Sequence, residues 1–197
     1  MNHRSHLFGC LLVLAGFWVV NGCRRQPSAP TTRWSPSIDP QAALSVDTPE
    51  GAARDLLVFL RAHLQALAHW DDRTAARLRD RVVTDLLAAD DLLERYRAVA
   101  GRAAFHDAEV LNRLVENWAA TISYYADGLQ LDRLRATIVS GDRTRAVVDV
   151  PAQGARDAAV IRVACRRDED DRWRVLGLEF APPPQPGAVT PATNPMR

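Results

Sequence analysis

Of the 12 prolines in the chain, five stand at Pro27, Pro30, Pro36, Pro40 and Pro49 and six follow from Pro182 onward, leaving only Pro151 between. Proline removes the N–H that helix and sheet ladders need, so a folded domain has to fit between the two clusters. That bounds a globular unit at residues 48–181, about 130 residues and enough chain to bury a core. A Pro-rich tether over residues 23–47 precedes it, with a random-coil reach of about 25–30 Å. A Pro-rich tail over residues 182–197 follows and reads as extended or disordered.

Within the domain the apolar period changes once. Thr48 caps a helix with Pro49 at its first position, and Leu56, Phe59, Leu60, His63, Leu64 and Leu67 then recur at three- and four-residue spacing. Asp71-Asp72 stops that helix or caps a second one through Val83, and Thr84 is a candidate cap for a third, through Leu86, Leu87, Leu93 and Tyr96 toward Gly101. Asp107 opens a fourth, with Leu111, Leu114, Val115, Trp118, Ile122 and Tyr125 on one face and Gly128 at its end. From Leu131 the period is two: Leu134, Ala136 and Ile138 alternate with Arg133, Arg135 and Thr137 before a Gly141-Asp142 turn and Ala146, Val148 and Val150. Ala159 to Arg166 and Trp173 to Phe180 make a second hairpin through Asp168–Asp171. The fold class is therefore α+β, with N-terminal helices on one face of a four-stranded antiparallel sheet. A helical subdomain beside a separate small sheet is the alternative.

Charge excludes more than it suggests. With 25 basic and 24 acidic side chains, nothing steers the chain toward phosphate, and nucleic-acid binding is disfavoured. Every basic residue is Arg, so an amine nucleophile or Schiff base is ruled out. The domain serines, Ser123 and Ser140, sit in a helix and beside a turn and make no nucleophile elbow. His63, His69 and His106 lack metal-ligand spacing, and Asp168-Glu169-Asp170-Asp171 lacks the glycine and spaced ligands of a calcium loop. Asp90, Asp91 and Glu94 read as exposed helix carboxylates, and Arg73, Arg77 and Arg81 as a solvated basic stripe. No catalytic set, metal or cofactor is implied.

The N-terminus carries an address. Arg4 precedes an apolar run from Leu7 to Val20 of about 14 residues, short of the roughly 20 that span a bilayer, so residues 1–22 read as an export signal. Val20-Asn21-Gly22-Cys23 resembles the lipobox of bacterial lipoproteins, Asn21 being an unusual middle residue. The resemblance implies cleavage before Cys23 and acyl chains on its sulfur and freed amine. Two or three such chains anchor a protein stably where one does not. Arg24, where an Asp would favour inner-membrane retention, implies the periplasmic side of the outer membrane. An uncleaved short anchor over Leu7 to Val20 is the alternative. Of the three cysteines, Cys10 then leaves with the signal and Cys23 carries lipid. Only Cys165 remains, in a strand-like run where a thiol is a small buried hydrophobe.

Thr48-Pro49-Glu50-Gly51-Ala52-Ala53, the hairpin Gly141-Asp142-Arg143-Thr144-Arg145-Ala146-Val147-Val148 and the strand start Trp173-Arg174-Val175 resemble small lipoproteins with a nuclear-transport-factor-two-like domain. This resemblance covers roughly residues 48–180 and implies a cone-like arrangement around a pocket, a scaffold used by isomerases, dehydratases and non-enzymatic binders. Four helices before any strand departs from that superfamily's usual order. On the apolar stripe of the first helix, His63 points toward the core or a cavity lined by Trp118 and Tyr125. Two functions follow as expectations. One is a membrane-anchored, non-catalytic module binding an envelope protein or a small apolar ligand. The other is a small acid-base enzyme that uses His63 in a conical pocket.

Overall fold

A computed structural model of the chain describes residues 38–100, 106–154 and 157–181. The signal segment, Cys23, most of the tether, Gly101 and the tail lie outside these residues. The domain is α+β, with helices α1 (Pro49–Ala68), α2 (Asp72–Arg81), α3 (Ala89–Ala100) and α4 (Asp107–Ile122) ahead of strands β1 (Arg135–Ile138), β2 (Arg145–Gln153), β3 (Ala158–Arg167) and β4 (Trp173–Ala181). The strands form one antiparallel meander in the order β1-β2-β3-β4.

Helix α1 starts as its residues dictate: the Thr48 hydroxyl accepts from Gly51 N–H at 3.0 Å and Pro49 fills the first turn. Its buried surface is much wider than one stripe. Ala52, Ala53, Ala62 and Ala66 are buried together with Leu56, Leu57, Phe59 and Leu60, because α1 touches all four strands and also α2 and α4. Leu67, expected on the apolar stripe, instead lies in the exposed last turn.

Asp71 caps α2 by accepting from Thr74 N–H at 3.0 Å, a bond that draws its carboxyl below the usual range. The helix then widens into a π turn, Val82–Leu86, closed by Leu87 N–H on the Val82 carbonyl at 3.1 Å. Thr84 therefore caps nothing, and its hydroxyl donates back to the Asp80 carbonyl at 2.9 Å. Helix α3 begins only after Leu87 and Ala88, which bridge to Val175 at the edge of β4. Arg174 secures this joint. Its guanidinium donates to the carbonyls of Thr84 and Asp85 and to Asp168 Oδ2 at 2.9 Å. Burial alone would raise the Asp168 carboxyl, but Arg174 and the N–H groups of Arg172 and Asp170 hold it below its ordinary value.

Helix α4 ends at Ile122, and Tyr125 belongs to a following 3-10 turn, Ser123–Tyr125. Gly128 serves close approach and does not cap: a Cβ there would lie 1.9 Å from the Gln153 carbonyl oxygen of β2. Leu131 and Leu134 precede β1 and do not join it, and Ile138, at the end of this short edge strand, is 45 % exposed.

The tether boundary at residue 47 also moves. Ile38, Leu44 and Val46 pack against the core, Val46 accepts from Trp173 N–H at 2.7 Å, and Arg81 donates to the Pro40 carbonyl at 2.7 Å and that of Ala42 at 3.4 Å. Residues 38–47 are thus a strap on the domain, and Arg81 is not part of a solvated stripe. Gly51 makes room for it, because a Cβ there would fall 1.8 Å from the Ser45 carbonyl oxygen. Gly51→Ala is accordingly expected to lift the strap and cost about 1–3 kcal/mol in urea unfolding. Limited proteolysis should show faster cleavage between residues 38 and 47 than in the parent chain.

Candidate functional site

The side of the sheet away from α1 is built from residues that alternation turns outward, and the register stacks them into rows. Arg135 lies opposite Asp149, Asp149 opposite Arg162, and Arg162 opposite Glu179, so one row of alternating charge crosses all four strands. Arg162 Nε reaches Asp149 Oδ1 at 3.4 Å, with both side chains about half exposed. Opposite charges placed directly across strands attract modestly, so part of this row simply stabilises a wet sheet face.

On either side of the charge row the floor is small and apolar. Pro151 and Val160 form one flank, and Val147, Ala164 and Gly177 the other. Each flank holds an open groove. The first, of about 790 Å³, is walled by Arg133 and Leu134 and floored by Pro151 and Val160. The second, of about 420 Å³, runs over Val147, Ala164 and Gly177, with Arg95 of α3 at its rim. Asp149 and Arg162 line both.

Pro151 explains why the first groove exists. Its carbonyl accepts from Gln130 N–H at 2.9 Å, on the side of β2 that faces β1. In a strand the N–H and C=O of one residue point the same way, so the N–H that Pro151 lacks falls where residues 131–134 have left the ladder. Leu129 rejoins β2 at Ala152, and the gap between that bridge and β1 opens the groove.

The residues expected to line a cavity lie on the other side of the sheet. His63 is 3 % exposed, and its Nδ1 lies 2.9 Å from the Ala75 carbonyl of α2. A carbonyl only accepts, so Nδ1 donates this bond, and Nε2 is buried with no hydrogen-bond partner among the described residues. Trp118 is buried on α4, while Tyr125 stacks on Phe180 with ring centroids 6.0 Å apart. Burial and the Asp157 carboxylate push the Tyr125 phenol above its ordinary value. No hydrogen bond or ring contact joins His63, Trp118 and Tyr125 to one another, and none of them lines the two grooves.

Several of the remaining chemistry-bearing side chains are tied into the structure. The buried Cys165 thiol is pushed up to about 12, chiefly by desolvation and also by the Glu50 charge, and so stays protonated. Ser123 donates to the Ala120 carbonyl at 2.6 Å, and Ser140 Oγ accepts from Arg145 N–H at 2.9 Å. Asp91 pairs with Arg166 at 2.9 Å. Asp142, drawn down to about 2 by bonds from the Ser140 and Thr144 hydroxyls and Thr144 N–H, ties the β1–β2 turn. Among the described residues no group of three or more His, Cys, Asp or Glu side chains is placed to hold a metal ion.

Alternation in the sequence already turned Arg135 outward, but the charge row needs the pairing register, which no local pattern encodes. For His63, packing outweighs its single polar contact. His63→Leu, which keeps most of the volume, is expected to stay within about 1 kcal/mol of the parent. His63→Ala, which leaves a cavity, should lose about 2–4 kcal/mol. Equal losses in urea unfolding would show that the bond to Ala75 dominates. Compared with known proteins, the chain matches no family model, no curated protein and no solved structure.

Proposed function

We propose that the chain is a lipoprotein of the bacterial cell envelope, exported and anchored through acyl chains on Cys23, whose domain is a non-catalytic module for a protein partner. The observation that carries the binding role is the pair of adjoining grooves on the open sheet face, divided by the row Arg135–Asp149–Arg162–Glu179. An extended segment laid across this face can place apolar side chains on both floors and a carboxylate against Arg133 or Arg135. A small apolar ligand is better served by a pocket that encloses most of its surface, whereas these grooves are open and rimmed with charge. Arginines beside apolar floors are also the composition of energetic centres in protein interfaces. The anchor rests on the lipobox-like segment, and export places the grooves where envelope proteins are met.

Capture from detergent-solubilised envelopes tests the binding face. The parent chain is expected to retain a partner that Arg135→Glu/Arg162→Glu loses by at least about tenfold. Arg113→Glu, on the exposed side of α4, should retain it. A chain always recovered alone, or a partner held equally by the double variant, refutes the binding role. Mass analysis of the processed protein tests the anchor, which an unmodified thiol at Cys23 or an uncleaved N-terminal segment refutes.

A further inference from the structure

The turn between α1 and α2 is built at a conformational cost that the domain itself does not recover. Asp71 N–H donates to the Ala66 carbonyl at 3.0 Å and Trp70 N–H to that of Leu67 at 3.1 Å. This two-bond closure leaves the residue after the helix cap left-handed, a place that glycine usually takes. Here it is Trp70, at φ 58°. A side chain there costs about 1 kcal/mol relative to glycine. The indole is 90 % exposed, so no packing offsets that cost, and Leu67 one turn earlier is 45 % exposed. A large aromatic held in an unfavourable conformation and touching little of its own fold points to a contact outside it.

We infer that Trp70 is an interfacial anchor, its indole entering the headgroup region of the membrane to which the chain is tethered and so setting which side of the domain faces the lipid. The inference rests on the proposed anchoring through Cys23. Three observations select lipid over a protein surface. First, an indole is apolar in body with one N–H donor, the combination that settles at a membrane–water boundary. Second, Arg73 and Arg77 follow on the exposed side of α2, neither in a salt bridge among the described residues, within reach of lipid phosphates. Asp71 and Asp72 stand beside them and keep the local charge near zero, which suits a zwitterionic surface better than an acidic one.

Third, the strap of residues 38–47 meets the domain at α2, the helix that the Trp70 turn leads into. Pro40 and Gln41 line one groove with Arg77 and Arg81, and Arg77 stands about 7.5 Å along the axis of α2 from Asp72, where that helix begins. Trp70 lines neither groove of the open sheet face, and α2, which the turn leads into, packs chiefly on α1, so lipid at Trp70 engages a part of the domain distinct from those grooves.

The test uses the full processed chain in phosphatidylcholine vesicles with brominated acyl chains, comparing the parent with Trp70→Gly. The difference between their emission spectra reports Trp70 alone, since the other tryptophans cancel. That difference is expected to be blue-shifted and quenched by the brominated lipid. Produced without residues 1–22 and as Cys23→Ala, so that it carries neither signal nor acyl chains, the parent should associate with the same vesicles about tenfold more strongly than its Trp70→Gly counterpart. Trp70→Gly should also melt at a higher temperature than the parent, where a tryptophan that served packing would melt lower. An unquenched, solvent-like difference spectrum, as a protein-docking tryptophan would give, overturns the inference. So does equal vesicle association, or a lower melting temperature in Trp70→Gly. The mass at residue 23 is read separately, so an unmodified Cys23 sinks the anchor while the vesicle arms still decide the role of Trp70.

Discussion

Helix α1 is buried along both flanks, and every other element is placed by what it must cover. One side lies on the strands and the other takes α2 and α4, leaving Arg54, Arg61 and Gln65 on a narrow polar strip. Alanines at 52, 53, 62 and 66 keep that helix slim enough for two layers to close on it, while Leu56, Leu57, Phe59 and Leu60 supply most of its buried volume. A helix apolar on nearly all sides cannot exist at a surface, so the sheet and the outer helices are held to it by one shared core. His63 belongs to that closure, as the one buried polar side chain among the described residues.

Arginine does the fastening at the joints. Arg81 grips the strap at Pro40 and Ala42, Arg174 takes up the carbonyls freed where the π turn ends, and Arg54 reaches the Leu131 carbonyl at 3.3 Å. In each case a planar fork with several donors satisfies backbone carbonyls that regular structure leaves over. A lysine offers a point charge and no such fork. The absence of lysine, which removes amine chemistry from the protein, is thus matched by a structural use of the residue that replaces it.

The proposed binding face and the proposed role of the exposed tryptophan make sense together. The sheet is closed on its α1 side by core packing and open on the other, where charge and small apolar residues alternate in rows. Trp70 stands in the turn between α1 and α2 and lines neither groove. A tethered domain free to rotate would present its grooves in every direction. A second contact beside the tether's entry would remove much of that freedom, and the ordering cost falls once, on the anchored chain, instead of at each encounter with a partner.

Much of this was legible in the residues taken locally. Thr48-Pro49, Asp71 and the change of apolar period located three of the helices and the two hairpins, because caps, turns and periodicity act within a few residues. The strap was not: Pro36 and Pro40 disguised Ile38, Leu44 and Val46 as tether, and their half-buried alternation appears only once a core exists to bury it. Thr84 looked like a cap because nothing local announces a π turn. The charge row and the gap beside Pro151 come from register, set by which hydrophobic faces meet across distant segments. Trp70 needed both levels. Its identity stands in the sequence, but a left-handed backbone and an uncovered indole are consequences of where α1 stops and α2 turns away. The sequence by itself determined the order and type of the elements, since these follow from short-range hydrogen bonding and periodicity. Tertiary structure alone decided which side chains share a surface, because that depends on pairings between segments that only collapse onto a common core can choose.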